Sequence, residues 1–397
     1  MSPARRRPRR GFAIASRIFA PEPAAASFRL EHAAAGLARV APTIVLTTTF
    51  RGEPRRSRRA GAEVRRFPVI RDSSGYVRGY VQYLSFDLPL FVRLLALPRG
   101  TVLLCEPPPT TGIVMRAACA IRGFPYAYFA ADLWSEALAG SGQPAVVRAA
   151  VRWMERTAIR GADVVLSVSA EVADRIAGFS DGEVVVVGNG IDTELFRPED
   201  VPSTPRGQGA PLLVYTGTAS EVHGAGIFVE AMRMIRERHP RAQLVFMGHG
   251  ADIPAMRAAA ADLPEGAVVF LPVQPAEVVA KWLNRADVAV ASVRPGNYGF
   301  AFPTKVYAAA ACGTPVVLAG EGPAAEAVRA GRLGRAADYD PEAVADAVDA
   351  QLADSAWDGA AARAWVEQNG SLKMVGENVA ERMRGMLEAD AVRSTGA

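Results

Sequence analysis

Val184–Pro198 reads V-V-V-V-G-N-G-I-D-T-E-L-F-R-P, and this stretch decides the fold. Four consecutive valines closed by a glycine predict a buried strand of a parallel sheet, where alternation is not needed. Gly-Asn-Gly then turns the chain, Leu195 and Phe196 supply an apolar plug, and Pro198 stops the segment. A second stretch, Phe302–Val317, reads F-P-T-K-V-Y-A-A-A-A-C-G-T-P-V-V. It is a loop of phosphate size opening a helix, with one lysine in it, then a glycine break and another apolar strand.

Outward from these stretches, strands alternate with helices. The pattern predicts strands at Phe12–Phe19, Thr43–Thr49, Thr101–Cys105, Tyr126–Ala130, Val164–Val168 and Val184–Val187. Helices are expected at Phe28–Ala38, Thr111–Ala120, Val146–Ile159 and Ala170–Ala177. Between Thr49 and Thr101 lies a basic and then amphipathic region. Glu199–Gly209, rich in Pro, Ser and Gly, reads as a linker. The pattern then restarts, with strands at Leu212–Tyr215, Gln243–Phe246, Val268–Leu271, Val288–Ala291 and Pro315–Leu318. Helices at Ala225–Arg238, Ile253–Ala261, Ala276–Asn284 and Lys305–Ala311 lie between them, and a last helix spans roughly Met374–Ala389. Such alternation means two parallel sheets with helices on both faces.

At 397 residues the chain suggests two domains, and 50% apolar with 22% charged residues describes a globular protein. The net charge of +4 favours anionic partners such as phosphates or a lipid surface. Arginines cluster at Arg5–Arg10 and again from Arg51 to Arg66, without the interleaved aromatics of a nucleic-acid binder. Lysine occurs only at Lys281, Lys305 and Lys373, so arginine is the default cation and a lysine inside a phosphate-sized loop stands out. The odd trio Cys105, Cys119 and Cys312 has no metal-ligand spacing and fits buried, reduced thiols. No stretch approaches the ~20 apolar residues of a membrane span, and no apolar signal core follows the N-terminal arginines. These features lead to the expectation of a cytoplasmic protein. Leu88–Leu97, beside the Arg51–Arg66 cluster, reads either as a face for peripheral contact with the inner side of a membrane or as a helix packed on the first sheet.

Gly188–Pro198 and Pro303–Pro315 together resemble the inter-domain hinge and donor-sugar site of family-4 retaining glycosyltransferases, in an actinobacterial-like branch with a Pro-x-Lys donor loop. The resemblance covers nearly the whole chain from Phe12. It implies an α/β fold of two Rossmann-like domains facing across a cleft, the B-type glycosyltransferase fold. The expected organisation is a disordered basic tail over 1–11, an acceptor-side domain over 12–198, a linker over 199–209, a nucleotide-sugar domain over 210–373, and a terminal helix over 374–397 crossing back to the first domain. The implied reaction moves a hexose-type sugar from a nucleoside-diphosphate-sugar to a hydroxyl acceptor, possible acceptors including lipid-linked ones. Envelope glycan, glycolipid and natural-product assembly are all compatible contexts. No metal and no cofactor is implied, the nucleotide-sugar being a substrate.

Residue by residue, the resemblance assigns the donor to loops at the carboxyl ends of the second set of strands. Gly217 and Thr218 follow the first strand, with His223 before its helix, and backbone N–H groups there attract a diphosphate. The family usually places two cations at the positions of Thr218 and His223, so His223 when protonated is one way to meet the charge. Gly248 and Gly250 form the second loop; His249 between them reads as a solvated turn residue. Phe302, Pro303, Thr304 and Lys305 form the third, where Thr304 can cap the helix and Lys305 can stabilise charge on a leaving diphosphate. An ordinary first-turn surface lysine is the plain alternative. The family's two glutamates, eight positions apart, are absent: Ala308 takes one place and Phe300 or Tyr298 the other. Asn297, Tyr298, the backbone of Gly299–Phe302 and Glu326 are candidate substitutes.

In the first half, Pro21–Arg29 resembles the loop that contacts donor and acceptor, with alanines where the family has glycines. Ser27 and Arg29 are acceptor candidates there, Arg29 reading equally well as structural, and Glu106 is a strand-end carboxylate of similar standing. Asp132, past the end of a strand, can hydrogen-bond the donor sugar or the acceptor hydroxyl, or cap the next helix. Asp132 and Lys305 are the catalytic candidates. A catalytically silent partner on the same fold is the alternative that the missing glutamates support. A sugar-nucleotide epimerase would need a carboxylate and histidine constellation that the four histidines do not supply.

Overall fold

A computed structural model describes residues 10–22, 24–72, 75, 77, 79–131, 133–138, 143–199, 210–296 and 302–395. Asp132, Asn297–Phe300, Arg5, Arg6, Arg7, Arg9 and nearly all of the 199–209 linker fall outside the described residues. In chain order the elements are β1 (Gly11–Ala15), α1 (Ala25–Val40), β2 (Thr43–Thr48), β3 (Arg56–Arg59), β4 (Ala62–Phe67), α2 (Tyr80–Leu95), β5 (Thr101–Cys105) and α3 (Pro109–Arg122). Then come β6 (Tyr126–Ala130), α4 (Trp134–Ala137), α5 (Ala145–Arg160), β7 (Val164–Ser167), α6 (Ala170–Ala177) and β8 (Glu183–Val186). The second series is β9 (Leu212–Thr218), α7 (Ile227–Arg238), β10 (Gln243–His249), α8 (Ile253–Ala259), β11 (Val268–Leu271), α9 (Ala276–Arg285) and β12 (Val288–Ser292). It continues with α10 (Lys305–Ala311), β13 (Val316–Ala319), α11 (Pro323–Ala330), β14 (Gly334–Ala337), α12 (Pro341–Leu352), α13 (Gly359–Asn369) and α14 (Leu372–Thr395).

The chain divides into two units, Met1–Asn189 with Leu372–Ala397, and Gly190–Ser371. The break therefore falls nine residues before the linker read from composition. The reason lies in the hinge stretch itself. Ile191 bridges Ser371 and donates its N–H to the Gly370 carbonyl at 2.9 Å, and Phe196 is buried in the second unit's core. Arg363 on α13 adds hydrogen bonds to the carbonyls of Thr193, Phe196 and Ala311. The apolar plug of Leu195 and Phe196 thus belongs to the second core, not to the first domain.

In the first unit eight strands run in the order β3-β4-β2-β1-β5-β6-β7-β8, all parallel except β3, which pairs antiparallel with β4. Residues alternate between two cores. Ala13, Ala15, Leu46 and Phe67 face α2, α3 and α5, while Phe12, Ile14, Val45 and Val64 face α1 and α14. Helix α14 packs along α1, close enough that a Cβ on Gly36 would strike the Gly376 carbonyl. The four-valine strand departs from expectation. It is the edge strand β8, pairing only with β7, and Val186 is 47% exposed. A continuous apolar run predicted burial on both faces, but the last strand of a sheet has no neighbour to cover it.

In the second unit the order is β11-β10-β9-β12-β13-β14, all parallel. Leu213, Tyr215 and Phe246 face α7 and α12, while Val214, Val245 and Leu318 face α9, α10 and α11. Counted from β9, this is the 3-2-1-4-5-6 order of a doubly wound dinucleotide fold.

Candidate functional site

In an open doubly wound sheet the chain leaves the two central strands in opposite directions, and the gap at their carboxyl ends is where ligands bind. In the second unit those strands are β9 and β12. The pairing of β10 with β9 continues to its end, Gly248 against Gly217 and His249 against Thr218. The loops after them stay packed: Ala219 donates to the His249 carbonyl at 2.8 Å. A Cβ on Gly248 would lie 1.9 Å from the Gly217 carbonyl oxygen, and on Gly250 1.7 Å from that of Ala219. These glycines allow two backbones to touch. His249 is exposed as expected, but it is the last residue of β10 and not part of a turn.

Lys305 opens α10, the helix between β12 and β13, and its side chain reaches over to β9. Its Nζ lies 3.7 Å from the centre of the Tyr215 ring, and about the same from where a Cβ on Gly217 would be, 3.8 Å. The residue keeps some exposure, but Nζ itself is buried and has no hydrogen-bond partner among the described residues. A buried amine without a partner resists protonation, so its pKa falls to about 7. The plain alternative, a solvated surface lysine, does not hold. Nor does Thr304 cap the helix: it is already helical in conformation, and its side chain makes no cap hydrogen bond. Phe302 and Pro303 flank the loop, with Phe302 tilted on Tyr307 at 4.6 Å between ring centres.

His223 corrects another expectation. Burial, and secondarily the charge of Lys305, push its pKa down to about 4. It is neutral near pH 7 and supplies no positive charge; its Nδ1 shares a hydrogen bond of 3.1 Å with the Ser220 hydroxyl. Thr218 contributes its carbonyl, which accepts from the Tyr215 hydroxyl at 2.8 Å. Lys305 is therefore the basic group at this strand end, where Thr218 and His223 supply no charge near pH 7.

Sequence reasoning missed a second cation. Arg294 stands two residues past the end of β12, the other strand of the switch point, exposed and facing Tyr339. Its N–H donates to the Val222 carbonyl at 3.0 Å, which ties it to the His223 loop. The available signal was its distance from a strand end, not a motif. Ala308 is buried in the core and offers no polar group, and Glu326 is exposed in the first turn of α11.

The first unit has the same kind of switch point, between β1 and β5, and there a cation and a carboxylate are paired. Arg29 Nη2 donates to Glu106 Oε1 at 2.9 Å with both side chains buried, and the guanidinium lies over the Phe129 ring. Ser16 donates to the other carboxylate oxygen at 3.4 Å. Burial raises the Glu106 pKa against the lowering effect of Arg29. Of the two readings of Arg29, the structural one describes this geometry. Ser27 is also buried, and its hydroxyl has no partner among the described residues. All three acceptor candidates are thus buried, Arg29 and Glu106 against each other. Asp132 lies outside the described residues, but the helix after it, α4, has its first N–H groups taken by Glu155, which accepts from Trp134 and Ser135 at 2.7 and 3.0 Å.

Two doubly wound sheets, with glycine loops and a buried amine at one switch point, define an α/β protein whose second unit has the layout of a ligand site. Comparison with known proteins narrows this. Residues 16–190 match the family model described as a glycosyl transferase 4-like domain, and residues 210–354 match that of glycosyl transferases group 1. The chain belongs to the family-4 glycosyltransferases of GT-B fold. It is 31% identical over 253 residues to a GDP-mannose-dependent α-(1-6)-phosphatidylinositol monomannoside mannosyltransferase of Mycolicibacterium smegmatis, covering 59% of this chain and 66% of that protein. It is 30% identical over 222 residues to a D-inositol 3-phosphate glycosyltransferase of Acidothermus cellulolyticus, covering 52% of this chain and 47% of the relative. The matches thus span about half to two thirds of the relatives' length. Among solved structures, sucrose-phosphate synthase of Thermosynechococcus elongatus shares the fold at a TM-score of 0.73 and 17% identity, over 96% of this chain and 100% of that one. Anabaena HepE in complex with UDP and glucose does so at 0.68 and 16%, over 94% and 99%.

Proposed function

We propose that this chain is a retaining glycosyltransferase that moves a sugar from a nucleoside-diphosphate-sugar to a hydroxyl acceptor, in the assembly of an envelope glycan, a glycolipid or a natural product. The observation that carries the reading is Lys305. Its buried amine has no partner among the described residues, and it lies by Gly217 and Tyr215 near the carboxyl end of β9, where a diphosphate would complete it. Lys305 opens α10, its amine reaches the Gly217 turn, and Arg294 follows the end of β12.

In this reading Lys305 takes up a proton as the anionic donor arrives. Its ammonium then offsets the charge that grows on the leaving diphosphate, so the chain's own groups do this without a metal. The leaving phosphate accepts the acceptor's proton from the same face, which needs no carboxylate nucleophile. Asp132 remains the candidate to bind the sugar or the acceptor hydroxyl. The Arg29–Glu106 pair orders the first unit's switch point, and Ser27 is the acceptor candidate left with a free hydroxyl. The names of the relatives make GDP-mannose the first donor to try and an inositol phosphate, free or lipid-bound, the first acceptor.

The test is the purified protein against UDP-, GDP-, ADP- and dTDP-sugars, reading thermal shift and slow donor hydrolysis together, for wild type and Lys305→Ala. Stabilisation and hydrolysis by one donor, both lost in the variant, support the reading. Stabilisation without hydrolysis, and without transfer to any acceptor, favours a silent partner, as the alanine at position 308 would suggest. No response to any nucleotide sinks the donor assignment.

A further inference from the structure

Three buried or half-buried arginines of the first unit are engaged by carboxylates, and a fourth is not. Arg29 pairs with Glu106 at 2.9 Å, Arg66 with Glu53 at 3.1 Å, and Arg71 with Glu22 at 3.2 Å. Arg71 also donates to the Thr48 hydroxyl and the Thr49 carbonyl, and Arg66 to the Ser57 hydroxyl and the Ala20 carbonyl. Arg17 stands two residues past the end of β1 and is half-buried. Among the described residues its side chain makes one hydrogen bond, from Nη1 to the Val77 carbonyl at 2.5 Å. Its Nε is buried with no partner there. A guanidinium has five N–H donors and does not shed its charge in a protein.

What surrounds Arg17 fixes its orientation and leaves its charge unpaired. The guanidinium carbon lies 4.8 Å from the centre of the Tyr83 ring and 5.9 Å from that of Trp134, and the two rings meet edge to face at 6.4 Å. Tyr83 is carried by α2, whose next turn buries Phe86 and Asp87, and Trp134 is anchored by its N–H to Glu155. Aromatic faces attract a cation but accept none of its in-plane N–H bonds. Burial lowers the Arg17 pKa, with Tyr83, Glu106, Asp87 and Glu22 opposing it in part. Those carboxylates are occupied elsewhere: Glu106 with Arg29, Glu22 with Arg71, and Asp87, whose pKa burial raises, with the Thr111 hydroxyl. Arg17 follows β1, Glu106 follows β5 and Trp134 opens the helix after β6, so the cluster lies at the first unit's switch point, where an open sheet takes its ligand.

We infer that Arg17, braced by Tyr83 and Trp134, is an oxyanion site, and that the acceptor of the proposed transfer carries an acidic group, a phosphate or a carboxylate, which this guanidinium binds. Either group presents paired oxygens that fit a planar fork, and a fork already braced by two rings loses little freedom on binding. A neutral polyol offers no counter-charge to the cation, so the acid sets the preference. The site lies within the first unit and is separate from the Lys305 amine of the second. Calling its ligand the acceptor rests on the donor reading above; the binding of an anion at Arg17 does not.

The test is saturation-transfer NMR on the full chain with three ligands of one carbon skeleton: glycerol 3-phosphate, glycerate and glycerol. A Lys305→Met background removes the second unit's amine as a competing anion site. Binding is expected to one or both anions and not to glycerol, and the two anions tell a phosphate acceptor from a carboxylate one. Arg17→Met should raise the dissociation constant of the bound anion by about tenfold or more, the loss of one charge-assisted pair. Arg17→Gln, which keeps an N–H for the Val77 carbonyl, should do the same and replaces the methionine variant if melting shows that one unfolded. Equal binding of glycerol, no binding of either anion, or undiminished binding by a folded Arg17 variant overturns the inference. With Lys305 in place and an active donor, Arg17→Gln should raise KM for an acidic acceptor with little change in kcat; transfer to neutral acceptors alone overturns the acceptor half. Anion binding that depends on Arg17 while every nucleotide fails would leave the oxyanion site standing and remove the donor reading.

Discussion

The two switch points of this molecule share a topology and differ in charge balance. In the first unit, Arg29 and Glu106 neutralise each other in the interior, and Ser16 serves the second carboxylate oxygen. In the second, the Lys305 amine is buried with no hydrogen-bond partner among the described residues. A paired charge is structure, whereas a buried cation left unpaired costs stability until an anion arrives. The difference teaches that burial alone does not mark a binding residue; a buried charged group with no counter-charge beside it is the better candidate.

The largest effect should come from breaking the paired side. Arg29→Met leaves Glu106 buried without its cation and should cost about 3–5 kcal/mol, read by denaturant unfolding. Adding Glu106→Leu should recover much of that loss. If the double variant is no better than the single one, the pair is not what holds this switch point.

The unpaired side should respond in the opposite sense. Lys305→Met should stabilise the ligand-free protein, on the order of 2 kcal/mol, because the desolvation cost disappears. It should also weaken nucleoside diphosphate binding by about 100-fold, read by calorimetry. A variant both less stable and still binding would erase the contrast between the two sites.

A pH series sharpens it. The free amine has a pKa of about 7, and a bound diphosphate raises it. The affinity contributed by Lys305 is therefore fully present below pH 7 and is lost as pH rises toward the bound value, about tenfold per unit. Lys305→Arg, charged at every pH, should remove this slope whatever its affinity. His223→Asn should have the smallest effect. With its pKa near 4, the imidazole is neutral, so binding should change by less than about threefold and stay flat between pH 5.5 and 7.

The same contrast separates what was legible in the sequence from what was not. Gly217, Gly248 and Lys305 were readable because a loop at a strand end is a local pattern, and β9–β13 follow the alternation closely. The pairing of Arg29 with Glu106 joins residues 77 positions apart, which no spacing rule reaches. The fate of Lys305 was equally hidden, since its burial depends on the Tyr215 ring rather than on its own neighbours. The Arg51–Arg66 stretch read as a basic region, yet it contains the β3–β4 hairpin. Arginine is a poor strand signal, and the edge position of β3 relieves it of the need for an apolar pattern. The four valines erred in the other direction, strongly apolar but placed at an edge.

The strand β3 has one more consequence. It ends the first sheet, so one row of its backbone donors and acceptors is open to pairing with another chain, the usual route to aggregation. Three of its four residues are arginine. Two such edges brought together would stack like charges at strand spacing, and the repulsion keeps copies apart. That protection is electrostatic and fades with screening, so this protein should store better in dilute salt than in concentrated salt.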